Sequence, residues 1–351
     1  MEAARLIARI PELFQESRTD VAMGSSQQLR HLLTDPDLDV AAEAVRAVGQ
    51  LRIRRLVFLL LDRIGEPALT DVVGESLVRF GDSVVATLRD HIADASVPIQ
   101  TRREIPAVLA RIGTREAARA LNEILLEADT QLRFRVIQAL NKIYEAHPEI
   151  ERDVGMIETV LAAEIMGHYR SYQVLGTLGT MEDSSNPVEH GLRESMEKET
   201  ERIFRLLKIL YPQYDLHSAY VGMQSDDPVV HDNAVEFMDS VLPPEVRSLI
   251  IPLFDRNVTA AQRTATADRV MGSTLGDREE AIEVMALSED PWLRACAAYA
   301  MGEMRLTRFA AKLDEWARDD ADPLLRATAV DAREKLRHAA AAAAGVDALS
   351  S

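Results

Sequence analysis

Apolar residues recur every three or four positions in short stretches along the chain, which is the spacing of amphipathic helices. Ala118, Leu121 and Leu125 follow this spacing in one stretch, and Leu313 and Trp316 follow it near the end of the chain. Strand signals are weak, because no alternating run of β-branched residues is bounded by an Asn-Gly or Asp-Gly turn. The pattern therefore predicts an all-α chain.

The helical stretches share one form, in which a polar segment containing Asp or Pro precedes an Ala-rich helix that ends in an apolar residue and a glycine or its equivalent. The residues at this glycine position are Gly49, Gly81, Gly113, Asn141, Asp239, Gly272, Gly302 and Glu334. Successive separations are 32, 32 and 28 residues in the first half and 33, 30 and 32 in the second. A second amphipathic helix follows most of these Ala-rich helices, and helices of this length bury their apolar stripe only against neighbouring helices. The repeat predicts an α-solenoid of stacked antiparallel helical hairpins.

The spacing also predicts how the chain is organised. We expect an N-terminal capping helix at 1–28, hairpin repeats at 29–143 and at 217–336, an irregular long-helix segment at 144–216, and an Ala-rich tail at 337–351. The middle segment predicts two long helices, 151–170 and 188–211, which either protrude toward a partner or brace the fold. Glu194 and Lys198 support the second helix through their i,i+4 spacing. The tail is expected to fray beyond Leu336.

Charge and composition exclude several classes of function. The chain carries 57 acidic and 40 basic residues, a formal charge of -17, which repels nucleic acid and anionic membrane surfaces. The longest apolar run, Leu56 to Leu61, is far shorter than the roughly twenty residues that span a bilayer. The first residues show no secretory signal, and Cys296 is the only cysteine. We therefore expect a cytoplasmic protein with no nucleic-acid partner and no membrane span.

No spacing of reactive side chains predicts catalysis or cofactor binding. Cys296 lies in an Ala-rich helix, and no histidine occurs between His231 and His338, so a packing role is favoured over a nucleophilic one. The eight histidines lack metal-ligand spacing, and no phosphate-binding loop is present. We expect a non-enzymatic protein with no catalytic, cofactor-binding or metal-binding residues.

Some residues of the repeats are candidates for bracing a neighbouring hairpin or contacting a partner. In "DPWLR" and "DPLLR", Asp-Pro opens a helix and an arginine follows four residues after the aspartate, whereas "NAVEFMD" places polar residues on one side of a helix. Hydrogen bonds to the next hairpin are the favoured interpretation of that polar stripe. Leu293, Ala297 and Met301 are predicted to face the stack. The candidates are Asp290, Trp292, Arg294, Asp322, Arg326, Asn233, Glu236 and Asp239.

The segments "DPWLR" at Asp290–Arg294, "DPLLR" at Asp322–Arg326 and "DPVVHD" at Asp227–Asp232 resemble HEAT repeats of the short bacterial kind. His231 replaces the arginine in the last of these. The arrangement of residues 200–304 is similar to the HEAT-repeat region that follows the membrane domain of bacterial proteins related to ATP/ADP nucleotide carriers.

This resemblance implies a scaffold that binds a basic or membrane-associated protein, as an accessory module at the inner face of the cytoplasmic membrane. It also leaves an enzyme as the alternative, because HEAT-like bilin lyases and alkyl-purine DNA glycosylases exist. The net charge of -17 argues against the glycosylase.

Overall fold

A computed structural model describes residues 27–127, 129–178, 187–319 and 322–349. This part of the chain forms 18 α-helices and contains no strand, so the all-α prediction is confirmed. The predicted capping helix at 1–28 lies outside the described residues except for its last two.

The first nine helices are α1 (27–33), α2 (Leu38–Leu51), α3 (Val57–Leu61), α4 (Thr70–Val78), α5 (Val85–Ala93), α6 (Ile99–Ile112), α7 (Arg115–Glu123), α8 (Thr130–Ala146) and α9 (Val154–Leu178). The other nine are α10 (Pro187–Leu210), α11 (Leu216–Met223), α12 (Pro228–Val241), α13 (Pro244–Phe254), α14 (Ala260–Met271), α15 (Arg278–Ala286), α16 (Pro291–Glu303), α17 (Ala310–Asp319) and α18 (Pro323–Leu349).

The chain divides into two compact units, Met1–Ile157 and Glu158–Ser351. In the first unit α2, α4, α6 and α8 form a row in which each helix contacts the next. The intervening helices α5 and α7 contact each other and also contact α6. Each helix of the row thus buries its apolar stripe against neighbours from adjacent hairpins, as the amphipathic spacing requires.

In the second unit the long helix α10 contacts both α11 and α16. Helix α16 also contacts α15 and α18, and α17 packs against α18. The long helix α10 ends at Leu210, one residue before its predicted end. The long helix α9 ends at Leu178, eight residues beyond its predicted end. Glu194 and Lys198 form the expected ion pair at 2.8 Å.

Capping side chains determine where many helices start. The capping residues are Asp37, Thr114, Asp129, Asp215, Asp227, Thr259, Asp277 and Asp290. Each side chain accepts a hydrogen bond from a backbone N–H two or three residues later, which satisfies a group that the helix leaves unpaired. Asp322 does the same for α18, so Asp-Pro opens a helix at Asp227, Asp290 and Asp322. At Asp35-Pro36 the helix starts later, after Asp37.

The recurring glycine position has two different structural roles. Gly81, Gly113 and Gly272 have φ of 58°, 69° and 67°, in the left-handed region that favours glycine. Gly49 and Gly302 instead lie inside helices at close crossings. A β-carbon would lie 2.7 Å from the Ser76 Cα at the first and 2.8 Å from the Ala332 Cα at the second.

The same turn follows both of these crossing glycines. Arg52 and Arg305 lie three residues after Gly49 and Gly302, with φ of 49° and 54°, and they are the positive-φ residues other than glycine in the described chain. A one-turn 3₁₀ helix then follows in each case, at Arg54–Leu56 and Thr307–Phe309. This local geometry therefore repeats together with its sequence, as expected of an internal repeat.

Helix α18 extends into the Ala-rich tail and ends at Leu349. The expected fraying beyond Leu336 stays a prediction. Alanine has the highest helix propensity of all residues, so a run of alanines extends a helix that packing has already started.

Substitution of the crossing glycines tests the close approach of the helices. Gly302→Ala forces a β-carbon against the α18 backbone and is expected to destabilise the second unit by about 2 kcal/mol, as overpacked cores are. The matched control is Gly167→Ala in α9, where the new β-carbon meets no atom within 4 Å and should stabilise the helix by about 0.5–1 kcal/mol. Urea unfolding followed by the fluorescence of Trp292 and Trp316 measures both. Equal free energies of unfolding for the two variants would contradict the close crossing.

Candidate functional site

The start of α16 is attached to the long helix α10 through one buried carboxylate. Asp290 is 8% exposed and accepts a hydrogen bond from the Trp292 N–H at 2.9 Å, which caps α16. Its other oxygen accepts a hydrogen bond from Ser195 Oγ of α10 at 3.2 Å. Asp290 therefore joins the two helices as well as capping one of them.

Trp292 and Cys296 pack on α10 at Gly191. A β-carbon at Gly191 would overlap the Cys296 Sγ and lie 3.0 Å from Trp292 Nε1. The Trp292 indole N–H is buried without an acceptor among the described residues, and Cys296 is buried as well. Cys296 Sγ lies 4.0 Å from the Pro187 carbonyl of α10, whereas Trp292 fits against the glycine by shape alone.

Burial raises the pKa of the Cys296 thiol to about 12, and the charges of Asp290 and Glu194 add to the effect. The thiolate is the nucleophilic form of cysteine. Cys296 therefore remains a neutral thiol at physiological pH, in keeping with a packing role.

The other candidates of the two C-terminal repeats differ in exposure. Arg294 is half-buried, Asp322 caps α18, and Arg326 is exposed. Leu293, Ala297 and Met301 are 7%, 0% and 0% exposed, which confirms that they face the core.

Asn233, Glu236 and Asp239 are exposed on α12, and no hydrogen bond joins the Asn233 or Glu236 side chain to a neighbouring hairpin among the described residues, in contrast to the favoured interpretation. The physical reason is that His231, Ala234 and Met238 occupy the buried face of this helix. The exception to full solvation is Asp239, whose carbonyl accepts a hydrogen bond from Arg247 Nη1 of α13 at 3.0 Å and whose carboxylate lies 3.6 Å from Arg247 Nε.

These residues belong to a longer exposed face of α12, which we call the α12 stripe. The α12 stripe consists of Val229, Asp232, Asn233, Glu236 and Asp239, each of which lies three or four positions from another member. Val229 is 67% exposed and gives the stripe an apolar end. The stripe carries three carboxylates, and α12 contains no lysine or arginine. His231 Nδ1 lies 3.4 Å from Asp232 Oδ1.

A second cluster of polar residues is buried between α9 and α10. Arg202 Nε donates to Glu164 Oε2 at 2.7 Å, and both residues are less than 7% exposed. His168 Nδ1 lies 2.9 Å from Glu199 Oε2, and Ser171 Oγ donates to Glu199 Oε1 at 3.0 Å. Each buried charge therefore has a partner of opposite charge or a hydrogen bond, as burial requires.

A cavity of about 220 Å³ opens beside His168. It is lined by His168, Tyr172, Leu175, Arg193, Met196, Glu197, Thr200 and Phe254. The Nδ1 of His168 bonds to Glu199, so Nε2 is the ring nitrogen that takes no part in this contact. Ser171 bonds to the carboxylate rather than to the imidazole, so the arrangement does not activate a serine nucleophile.

The sequence does contain a signal for this cluster. Glu164, His168 and Ser171 follow i, i+4, i+7 spacing in α9, and Ser195, Glu199 and Arg202 do the same in α10. Two polar stripes of helical period on two neighbouring long helices indicate a polar interface between them.

No protein-family model matches the chain, and no curated protein matches it. The described residues contain no group of three or more His, Cys, Asp or Glu side chains placed to hold a metal ion. Among the helices that the structure describes, none is long and apolar enough to cross a membrane.

The buried ion pair predicts a strongly non-additive response to mutation. Glu164→Ala leaves the buried charge of Arg202 uncompensated and should destabilise the fold by about 3–5 kcal/mol. The double variant Glu164→Leu with Arg202→Met removes both charges and keeps the volume, so its stability should lie much closer to that of the natural chain. Tryptophan fluorescence during urea unfolding measures these free energies.

The exposed pair of the same helix provides the control. Glu194→Ala breaks the solvent-exposed contact with Lys198 and should lose only about 0.3–0.5 kcal/mol. A loss of that size from Glu164→Ala as well would show that the Glu164 and Arg202 pair is not buried.

The raised pKa of Cys296 predicts slow thiol modification. At pH 8 the folded protein should react with a disulfide reagent about 1,000-fold more slowly than the urea-unfolded chain, because a rise of about three pKa units leaves that much less thiolate. The native thiol holds its proton more tightly than the unfolded thiol, so this group's contribution to stability is complete below pH 9.0 and falls as the pH rises toward 12. Equal reaction rates of the folded and unfolded chains would contradict the assignment.

Proposed function

We propose that the protein is a non-enzymatic α-solenoid scaffold of HEAT-like repeats that binds a basic protein segment along the α12 stripe. The observation that carries the proposal is the exposed face of three carboxylates and a largely exposed valine on a helix without basic residues. An amphipathic segment with lysine or arginine beside small apolar residues would complement this face in charge and in polarity.

The helix contacts support the solenoid part of the proposal. The row of α2, α4, α6 and α8 in the first unit is the neighbour-to-neighbour pattern by which hairpin repeats bury their cores. Helix α16 contacts α18 and carries the crossing glycine Gly302. The turn after Gly302 matches the turn after Gly49, which adds a second instance of the repeat.

The expected cellular setting comes from the sequence resemblance alone. A cytoplasmic module that accompanies a membrane protein similar to nucleotide carriers would meet its partner at the inner face of the membrane. Loops on the cytoplasmic side of membrane proteins are rich in lysine and arginine, and such loops would suit the α12 stripe.

The enzyme alternative would use the cavity beside His168, where an imidazole paired to a carboxylate could serve as a general base. The favoured proposal assigns these groups a structural role instead. His168 is 2% exposed, and the cluster satisfies the buried charges of two long helices.

Charge reversal tests the scaffold proposal. Asp232→Lys with Glu236→Lys should weaken binding of a fluorescent helical peptide composed of arginine, leucine and alanine by about tenfold or more, equivalent to about 1.4 kcal/mol. Fluorescence anisotropy measures the affinity, and higher salt should weaken binding to the natural chain.

Asp71→Lys with Glu75→Lys in α4 is the matched control. It changes the net charge equally, at two exposed positions with the same i,i+4 spacing. Equal weakening by the two double variants would show that only the net charge attracts the peptide, and the proposed surface would be wrong.

A further inference from the structure

A groove of about 550 Å³ lies in the first unit between α7 and the start of α9. It is lined by Arg115, Ala118, Arg119, Asn122, Glu123, Glu151, Arg152, Asp153, Val154 and Met156. We call it the α7–α9 groove. It lies in a different unit from the α12 stripe.

Asn122 lines the groove with an unsatisfied amide. The residue is 9% exposed, and its Nδ2 donates to the Tyr144 hydroxyl at 3.0 Å. Its Oδ1 is buried and has no hydrogen-bond partner among the described residues. If the amide were turned over, Oδ1 would accept from the Tyr144 hydroxyl and Nδ2 would be the unsatisfied donor, so one polar atom of Asn122 lacks a partner in either orientation. Buried polar groups in folded proteins are rarely left in this condition.

Arg152 presents a second unsatisfied group beside the first. Its Nε is buried without a hydrogen-bond acceptor in the described part of the chain. Its guanidinium carbon lies 5.1 Å from the centre of the Tyr144 ring, the same side chain that bonds Asn122. An unsatisfied acceptor and an unsatisfied donor thus belong to two lining residues of the groove that contact the same tyrosine.

The charged residues of the groove other than Arg152 fall into two classes, those with a local partner and those without an ion pair. Arg119 lies 3.4 Å from Glu123, and Asp153 accepts a hydrogen bond from the Met156 N–H at 3.1 Å, so their charges already have local partners. Arg115 and Glu151 are exposed. No ion pair engages either of these two within the described residues.

We infer that the α7–α9 groove binds a zwitterion with the chemistry of an amino acid or a short peptide. Its carboxylate is placed on Arg152 and Arg115, since guanidinium groups match carboxylate geometry. Its ammonium group donates to Asn122 Oδ1 and faces Glu151. A purely anionic ligand would instead bring its charge close to Glu151 and Glu123. The inference does not depend on the proposed scaffold function.

The test is saturation-transfer NMR and calorimetry with the full chain. The probes are the common L-amino acids, trialanine, and trialanine blocked by N-acetylation and C-amidation. At least one free amino acid or trialanine should bind at millimolar concentration, and the blocked peptide should bind at least tenfold more weakly than trialanine. A free amino acid that binds as tightly as trialanine identifies an amino-acid site, whereas a tenfold preference for trialanine identifies a peptide site.

Variants localise the binding. Arg152→Gln and Asn122→Leu should each weaken it at least tenfold, while Arg79→Gln, at an exposed position outside the groove, should leave it unchanged. Circular dichroism establishes that each variant is folded. If Asn122→Leu does not fold, Arg152→Gln alone tests the site. No binding by any free probe, equal binding of the blocked peptide, or equal binding by Arg152→Gln would each overturn the inference. Asp232→Lys with Glu236→Lys should not affect it, which separates this test from that of the scaffold.

Discussion

The charges buried between α9 and α10 are the constraint on which the second unit depends. The buried Glu164 accepts a hydrogen bond from Arg202, so the pair favours one register of the two long helices. The positioned helices then hold their neighbours through polar bonds. Tyr169 donates to the Leu249 carbonyl of α13 at 2.7 Å, and Gln173 Nε2 donates to Asp268 of α14, also at 2.7 Å. On α10, Ser195 donates to Asp290 and so attaches α16. Breaking the central pair should therefore loosen contacts with three further helices.

The first unit is stabilised in a more distributed way. Its row of helices buries aliphatic side chains between successive hairpins, and arginines join adjacent elements locally. Arg102 Nε donates to the Ile92 carbonyl at 2.6 Å, and its Nη2 donates to Glu127 Oε2 at 2.5 Å. Arg103 makes a two-bond contact with Asp129, the residue that caps α8. Since each such contact joins only neighbouring elements, the free energy of unfolding is spread along the row, as it is in repeat proteins.

Local chemistry explains which parts of this fold could be predicted from sequence. Asp290 and Pro291 predict a helix start because capping and the proline ring act within one turn, and α10 likewise begins at a proline, Pro187. The sequence also showed the period marked by Gly302 and Gly272. It did not show that Gly302 lies at a helix crossing whereas Gly272 forms a left-handed turn. The burial of Glu164 and His168 went unpredicted, because their partners lie 38 and 31 residues away and only packing brings them together. The exposure of Asn233 was missed for the converse reason, since a polar stripe on one helix does not reveal which face the neighbours cover.

The same chain thus uses carboxylates in two opposite ways, and the difference lies in where the complementary group is. The partners of Glu164, Glu199 and Asp290 are in the chain itself, so these carboxylates are buried and position helices. Glu236 has no ion-pair partner among the described residues and stays in water, where its charge costs nothing to maintain. Desolvating it becomes favourable only if a binding partner supplies the positive charge. An exposed carboxylate on a helix whose opposite face is packed is therefore free to take part in binding without loosening the fold, whereas the buried carboxylates are not.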